Sequence, residues 1–331
     1  MWMNSDNHLT RRHSKGAFGR RGSALLTVLW ISAALAAVGL SLSNTVRGET
    51  ERVSTDLEGL RAYFLAAGAV EKATVEMLYG RWYPDKPFPR SPGWIDYRFA
   101  TGVAHVEMIP ETAKLDVRDV PPERLLRLLT AMGVDPARVQ AITAGIVSRR
   151  TGAAFLSPFS SGSTFQAPAT SFQEIEELIS VPGVTPEILY GSYVPAPDGA
   201  REGQPGLVRR SGLVDCLSVN GSHGPVDANT AEPAVLAAVG ISPAGIQMLV
   251  EARKTRRLEP ANLGEVPGGA GNLRFDGGSI YTMRATASAM LANGKLSEVR
   301  RTVAAKVKYM PRGYDTWIHI LRWYDTTWSE N

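Results

Sequence analysis

Apolar positions dominate the first quarter of the chain. Residues 24–42 form a run of nineteen residues without a charge. As a helix with a rise of about 1.5 Å per residue, this run would be roughly 28 Å long, which matches the hydrocarbon core of a bilayer. Apolar residues then continue at steps of three and four, the period of an amphipathic helix. The pattern predicts one long helix over residues 23–79. The repeating positions after the run are Val53, Leu57, Leu60, Phe64, Ala67, Val70, Thr74 and Leu78.

The period changes after residue 79, and strands are predicted at both ends of the remaining chain. Residues 80–92 contain four prolines and are typical of a linker. Apolar residues between 97 and 117 predict one or two short strands. Residues 280–290, 296–308 and 316–324 predict three more, with Asn293-Gly294 as a hairpin turn between the first two. The third of these strands is evenly apolar, so we expect it to be covered on both faces.

The pattern over residues 116–274 is helical, and one short motif occurs in it three times. A glycine is followed by an aliphatic residue, then by Asp, Thr or Ser, and then by proline. Glycine ends a helix at positive φ, the polar residue caps the next helix, and proline suits its first turn. Each copy therefore predicts two helices joined by a tight turn. The copies are Gly133-Val134-Asp135-Pro136, Gly183-Val184-Thr185-Pro186 and Gly240-Ile241-Ser242-Pro243.

These patterns divide the chain into four predicted segments. They are a leader (1–22), a long helix (23–79), a strand domain made from 80–115 and 275–331, and an inserted α-helical domain (116–274). Residues 1–22 hold five basic residues against Asp6, so the rest of the chain has 31 basic and 31 acidic residues. Basic residues flank membrane helices on the cytoplasmic side. We therefore expect a cytoplasmic leader, a single membrane-spanning helix and a body outside the cytoplasm.

Candidate chemistry is sparse. The sequence has no GxSxG, HExxH or phosphate-loop motif, and Cys216 is its only cysteine. We expect no enzyme activity, no catalytic residue and no metal ligands. Paired short helices can bind DNA through the amides of their turn, but residues 116–190 hold six basic and eight acidic residues. This charge balance favours a packing role and predicts no nucleic-acid partner.

The junction between leader and helix resembles a type IV pilin leader. Arg20, Arg21 and Gly22 directly precede Ser23 and the apolar run. Prepilin peptidase cuts such leaders after the glycine, so the resemblance implies cleavage between Gly22 and Ser23 and methylation of the new N-terminus. Most of these proteins carry glutamate at the fifth mature position, where this chain has Thr27. In the family, that glutamate neutralises the N-terminal amine of the neighbouring subunit nearer the tip. Its absence implies a subunit with no neighbour on that side, because an unpaired carboxylate in a bilayer is costly.

Over nearly its whole length the chain resembles the K-type minor pseudopilins of type II secretion systems, the general secretion pathway protein K family. The resemblance rests on RRGSALLTVLWI at 20–31, VPGVTPEILYGSY at 181–193 and VDANTAEPAVLAAVGISP at 226–243. It implies an α+β fold in which a pilin-like helix and a small antiparallel sheet are interrupted by a helical domain of helix-hairpin-helix or SAM-like units. It also implies a subunit anchored in the bacterial inner membrane that initiates a periplasmic pseudopilus at its tip.

The same resemblance implies the partners. They are the I- and J-type minor pseudopilins, with the H-type, secreted proteins and the outer-membrane channel as further contacts, and prepilin peptidase as the processing enzyme. The long helices of these subunits would align along four apolar positions, which we call the partner-helix stripe. These positions are Val53, Leu57, Leu60 and Phe64.

One family property is in conflict with the residues. Members can bind calcium through an acid-rich stretch that follows the helix corresponding to 139–149. Here residues 151–171 contain no charge, whereas calcium takes about six to eight oxygen ligands, several of them carboxylates. The resemblance thus allows calcium, but its acidic ligands are not evident, and we expect no cofactor. Two alternatives stay open: a minor pilin of a type IV pilus or DNA-uptake machine, and a membrane-anchored helix-hairpin-helix protein or enzyme.

Overall fold

The computed structural model describes residues 20–83, 93–151, 172–195, 207–262, 266 and 270–327. Two compact units are present, Met1–Leu57 and Glu58–Asn331. Helix α1 (Arg20–Trp82) begins in the first unit and ends in the second, and it extends three residues beyond the predicted bounds at each end. The predicted linker lies mostly outside the described residues.

In the first unit, every side chain of α1 that the structure describes is exposed. Serine and threonine hydroxyls donate to carbonyls one turn earlier, as Ser32 does to Val28 (2.5 Å) and Thr45 to Ser41 (3.0 Å). These bonds satisfy the hydroxyls within the helix itself. These hydroxyls therefore need no partner from outside the helix.

The remaining elements belong to the second unit. Its strands are β1 (Trp94–Phe99), β2 (Gly102–Pro110), β3 (Leu115–Asp116), β4 (Ser192–Pro195), β5 (Leu207–Arg210), β6 (Leu217–Ser218), β7 (Val226–Asp227), β8 (Leu273–Arg274), β9 (Ile280–Met290), β10 (Leu296–Tyr309) and β11 (Ile318–Tyr324). Its α-helices are α2 (Pro122–Ala131), α3 (Pro136–Thr151), α4 (Pro186–Tyr190), α5 (Leu213–Cys216), α6 (Pro233–Ala238) and α7 (Pro243–Thr255). Short 3-10 segments cover Glu111–Ala113, Ile175–Ser180, Pro260–Asn262 and Ala270–Asn272.

A five-stranded antiparallel sheet organises this unit, in the order β1-β2-β9-β10-β11. The chain leaves the sheet after β2 and returns to it with β9. The predicted turn between β9 and β10 is present, with Gly294 at a φ of 77° that glycine adopts without strain. The fold is therefore α+β, with a long N-terminal helix and an antiparallel sheet, as predicted.

The C-terminal part of α1 packs on one face of the sheet through small side chains. Ala62, Ala66, Ala69 and Ala73 are completely buried, and the last three share a core with strand residues such as Val106. Their spacing of four, three and four places them on one side of a helix. Because alanine lets the helix backbone approach the sheet closely, larger residues at these positions would overpack the core.

The region between β2 and β9 has its own hydrophobic core, built mostly from leucine, isoleucine and valine. In the first and third copies of the repeated motif, glycine ends one α-helix and proline begins the next, as predicted. Gly133 and Gly240 have φ of 71° and 97°, and the residue after each donates its N–H to a carbonyl in the last turn of the helix. Ser242 then caps α7 by accepting from the Gly245 N–H at 3.2 Å.

Two details differ from the predictions. The second copy of the motif follows a 3-10 segment and not an α-helix, because Ile175–Ser180 closes with i to i+3 bonds. Strand β11 lies at the sheet edge and leaves Ile320 and Leu321 exposed, so the prediction that it is covered on both faces is wrong. The apolar pattern of an edge strand does not distinguish a covered face from an uncovered one. The predicted domain boundaries, and the helix-hairpin-helix assignment, stay predictions.

Candidate assembly surface

The predicted cleavage site lies at the start of α1. Arg20, Arg21, Gly22 and Ser23 are the first residues of this helix, and the rest of the leader lies outside the described residues. Thr27 follows one turn later and is exposed. Residues Ala24–Trp82 form the one described helix that is long and apolar enough to cross a membrane, judged by length and composition alone. This arrangement is compatible with a single-pass anchor.

All four residues of the partner-helix stripe are exposed. Val53 and Leu57 belong to the first unit, and Leu60 and Phe64 to the second. In the second unit, Leu60 is 52% and Phe64 63% exposed, and Val75, on the same side of the helix, is 60% exposed. We call Leu60, Phe64 and Val75 the outward face of α1. It is the side opposite the alanines that contact the sheet.

The edge strand β11 borders this outward face. Tyr63 donates its hydroxyl to Asp325 Oδ1 at 2.7 Å, and the indole of Trp323 donates to the same oxygen at 3.0 Å. Ile320 pairs with Val307, a core residue beneath α1, so both side chains project from the helix side of the sheet. Ile320 is nevertheless 58% exposed. The apolar surface on this side of the unit thus extends from the helix to the sheet edge.

The opposite face of the sheet is polar. His105 and Glu107 of β2 alternate with the core residues Val106 and Met108 and so point away from α1. We call His105, Glu107, Thr282, Arg284 and Lys306 the outer sheet face. Arg284 donates to Glu107 at 2.6 Å across the neighbouring strands.

Glu111 connects this outer sheet face to the region between β2 and β9. The fully buried carboxylate accepts from Thr282 of β9 at 2.6 Å and from Ser218 of β6, and lies 3.4 Å from Lys306 and 3.9 Å from Lys114. Burial alone would raise the pKa of Glu111. The two lysines and two hydroxyls outweigh that effect and lower the pKa to about 2. Glu111 is therefore ionised and fully partnered.

The sequence analysis did not identify this network or the buried alanines of α1. Ser218 and Thr282 are 107 and 171 residues from Glu111 in the chain, and no local motif joins them. The alanines did leave a signal, since Ala62, Ala66, Ala69 and Ala73 keep helical spacing. This spacing was not recognised because the predicted stripe was defined by larger apolar residues.

No group of three or more His, Cys, Asp or Glu side chains that could hold a metal ion occurs among the residues described. The uncharged stretch after α3, on which the calcium argument rests, lies outside them. Cys216 is buried, and burial raises the pKa of its thiol.

These features define a class of fold: an α+β arrangement in which a long N-terminal helix packs on an antiparallel sheet. Among solved structures, the GspK-GspI-GspJ complex from the Type 2 Secretion System of enterotoxigenic Escherichia coli is similar to this chain. The match has 13% sequence identity and a TM-score of 0.47, and covers 84% of this chain and 100% of that chain. No protein-family profile matches the sequence, and no curated protein matches it.

Proposed function

We propose that this protein is a minor pseudopilin of a type II secretion system. The observation that carries the proposal is the combination of two features in α1. The helix begins at a basic leader ending in Gly22 and continues into an uncharged run, and further along it keeps one apolar face exposed while the opposite face packs on the sheet. A leader of this kind supports processing and membrane insertion. An exposed apolar helix face supports docking to the helices of similar subunits.

The proposed location follows from the same features. The leader is cytoplasmic, α1 crosses the inner membrane once, and the sheet and the region between β2 and β9 are periplasmic. The partners are the I- and J-type pseudopilins, and the solved complex that resembles this chain is one of GspK with GspI and GspJ. The H-type pseudopilin, secreted proteins and the outer-membrane channel are further proposed contacts.

We place the subunit at the tip, where it initiates assembly. Thr27 supports this position, because a subunit under another one would need a carboxylate to pair with the amine above it. The bulk of the region between β2 and β9 supports it too, since this region would obstruct helical stacking in a shaft. In this proposal the helix pairs around Gly133 and Gly240 are packing elements of an inserted domain. They bind no DNA, and the protein has no enzyme activity and needs no cofactor.

Processing provides the first test. The full-length chain is co-expressed with a prepilin peptidase, and the mature N-terminus is sequenced. We expect it to be Ser23, and we expect Gly22→Val to block cleavage while Gly48→Val, a matched change further along α1, does not. A mature N-terminus at Met1 or near Ser43 would contradict the proposal.

Deletion of the gene separates the related machines. A secretion defect supports the pseudopilin assignment, and a defect in piliation or DNA uptake supports a minor pilin instead. The tip position is tested by abundance: recovery along the pseudopilus shaft at the level of the major subunit would contradict it.

A further inference from the structure

A cleft of about 510 Å³ lies between the outer sheet face and the region that follows β2. This volume is within the usual range of small-molecule sites, and such sites favour the junctions between packed layers. One wall carries side chains of the sheet, such as Arg284 and Lys306. The other wall carries Glu176 from the 3-10 segment and Val250 from α7.

Several charged groups that line the cleft have clear partners within the fold. Arg284 is bound to Glu107 and Lys306 lies against Glu111. Asp215 accepts from Arg209 at 2.7 Å. Lys254, at the end of α7, pairs with a glutamate one turn earlier. These side chains are neutralised without a ligand.

Glu176 interacts with the charge of Arg322, but it differs from them in its hydrogen bonding. Its Oε2 atom is completely enclosed and has no hydrogen-bond partner in the structure. The adjacent acids are used: Glu174 pairs with Arg322, and Glu177 pairs with Arg149. Ile175 and Leu178 hold the 3-10 segment in the core, so the segment cannot turn Glu176 outward without exposing them. A buried carboxylate oxygen without a partner is costly, and such an atom calls for an explanation.

The rest of the lining indicates what would partner this oxygen. Ile175, Val214, Leu217 and Val250 provide apolar surface, and the hydroxyls of Ser218 and Thr282 also line the cleft. Apolar walls suit an alkyl stem, and a carboxylate suits the cationic nitrogen at its end. We propose that the cleft binds an ammonium or guanidinium group on an apolar stem, with the carboxylate of Glu176 as its counter-ion. Such a group is carried by small alkylamines and by lysine and arginine side chains.

The test uses the full-length protein in detergent micelles and, as the probe, agmatine, a four-carbon stem with a guanidinium at one end and an ammonium at the other. Isothermal titration calorimetry should show saturable binding. Glu176→Gln removes the charge but keeps the shape of the side chain, and it should weaken binding at least about tenfold. The matched variant Glu187→Gln, at an exposed glutamate of α4, should bind as the wild type does. Val250→Phe fills the cleft from the opposite wall and should also weaken binding, which guards against a folding defect in the first variant.

A second arm distinguishes the two sources of the group. A short peptide with one arginine, capped at both ends, is compared with agmatine. Tighter binding of agmatine assigns the site to a free amine, and tighter binding of the peptide assigns it to a protein side chain. The absence of saturable binding by either probe, or equal affinities of wild type and Glu176→Gln, would overturn the inference. Neither result bears on cleavage after Gly22, so the proposed function is tested separately.

Discussion

Two faces of the second unit differ in character: the outward face of α1 is exposed, whereas the outer sheet face, with Arg284 and Lys306 buried, is turned towards the region between β2 and β9. On the outward face, Leu60, Phe64 and Val75 are more than half exposed. On the outer sheet face, the charges are paired within the fold, as in Glu107 with Arg284 and Glu111 with Lys306. The charges of the polar face are therefore paired and mostly covered within the chain, whereas the apolar face gains from a partner that covers it. The difference is the reason that we propose α1, and not the sheet, as the side for assembly.

The largest expected effect is on stability, and it comes from removing the carboxylate of Glu111 from its polar network. Glu111→Ala removes the carboxylate that pairs with the buried Lys306 and the mostly covered Lys114, and it should lower the free energy of unfolding by about 3–5 kcal/mol. Urea unfolding of the full chain in detergent measures it. Glu298→Ala, at an exposed position on β10, is the control and should change stability by less than about 0.5 kcal/mol. Equal effects in both variants would show that the network does not stabilise the fold.

The second effect is on the pH dependence of stability. The pKa of Glu111 is about 2 in the folded chain, against 4.5 for an ordinary glutamate. The unfolded state therefore takes up the proton first as the pH falls. The stabilising contribution is complete above pH 4.5 and is lost towards pH 2, by about 3 kcal/mol in total. Unfolding measured from pH 6 to pH 2 should show this loss in the wild type and a smaller loss in Glu111→Gln. Parallel curves would contradict the assignment.

The third effect should be on association with other pseudopilins, with stability unchanged. Leu60→Asp combined with Phe64→Asp places two charges on the outward face of α1, which would be buried without partners in a helix–helix contact. We expect co-purification with I- and J-type pseudopilins to weaken on the order of tenfold to a hundredfold, with little change in unfolding. Leu207→Asp, at an exposed leucine of β5, should leave association unchanged. Loss of association in the control instead would move the partner surface to the β4–β5 ribbon.

The smallest expected effect is on stability, from the loss of helix caps in the region away from both faces. Ser242→Ala removes the cap of α7 and should cost about 1 kcal/mol. Thr185→Ala should cost less, because the Thr185 hydroxyl accepts at 3.4 Å and caps a helix of five residues. Neither change should affect association. Urea unfolding and the same co-purification check both statements.

Local patterns predicted much of the fold. The long helix, the hairpin turn at Asn293-Gly294 and the helix ends at Gly133 and Gly240 all depend on residues close together in the chain. Backbone preferences at glycine, proline and capping residues determine such features locally. The predicted positions therefore agree with the structure to within a few residues.

The apolar stripe of α1 shows why the rest could not be predicted. Phe64, Ala67 and Val70 follow one another at steps of three, and each such step turns the position about 60° around a helix. The predicted stripe therefore begins on the exposed face and has left it by Val70, which contacts the sheet core. A helix with two apolar faces has no single hydrophobic side in its sequence pattern. The small alanines of the buried face also contribute less to that pattern than the larger residues do. The Glu111 network could not be predicted because its partners are distant in sequence.

The most direct test of the assembly surface compares the two faces in the membrane. A photo-cross-linking amino acid replaces Phe64 on the outward face of α1 or Asp96, an exposed β1 residue beside His105 on the polar side of the sheet. Both variants are expressed in cells that contain the complete secretion system. We predict adducts with other minor pseudopilins from position 64 and none from position 96. Adducts from position 96 alone would contradict the account and place assembly on the sheet.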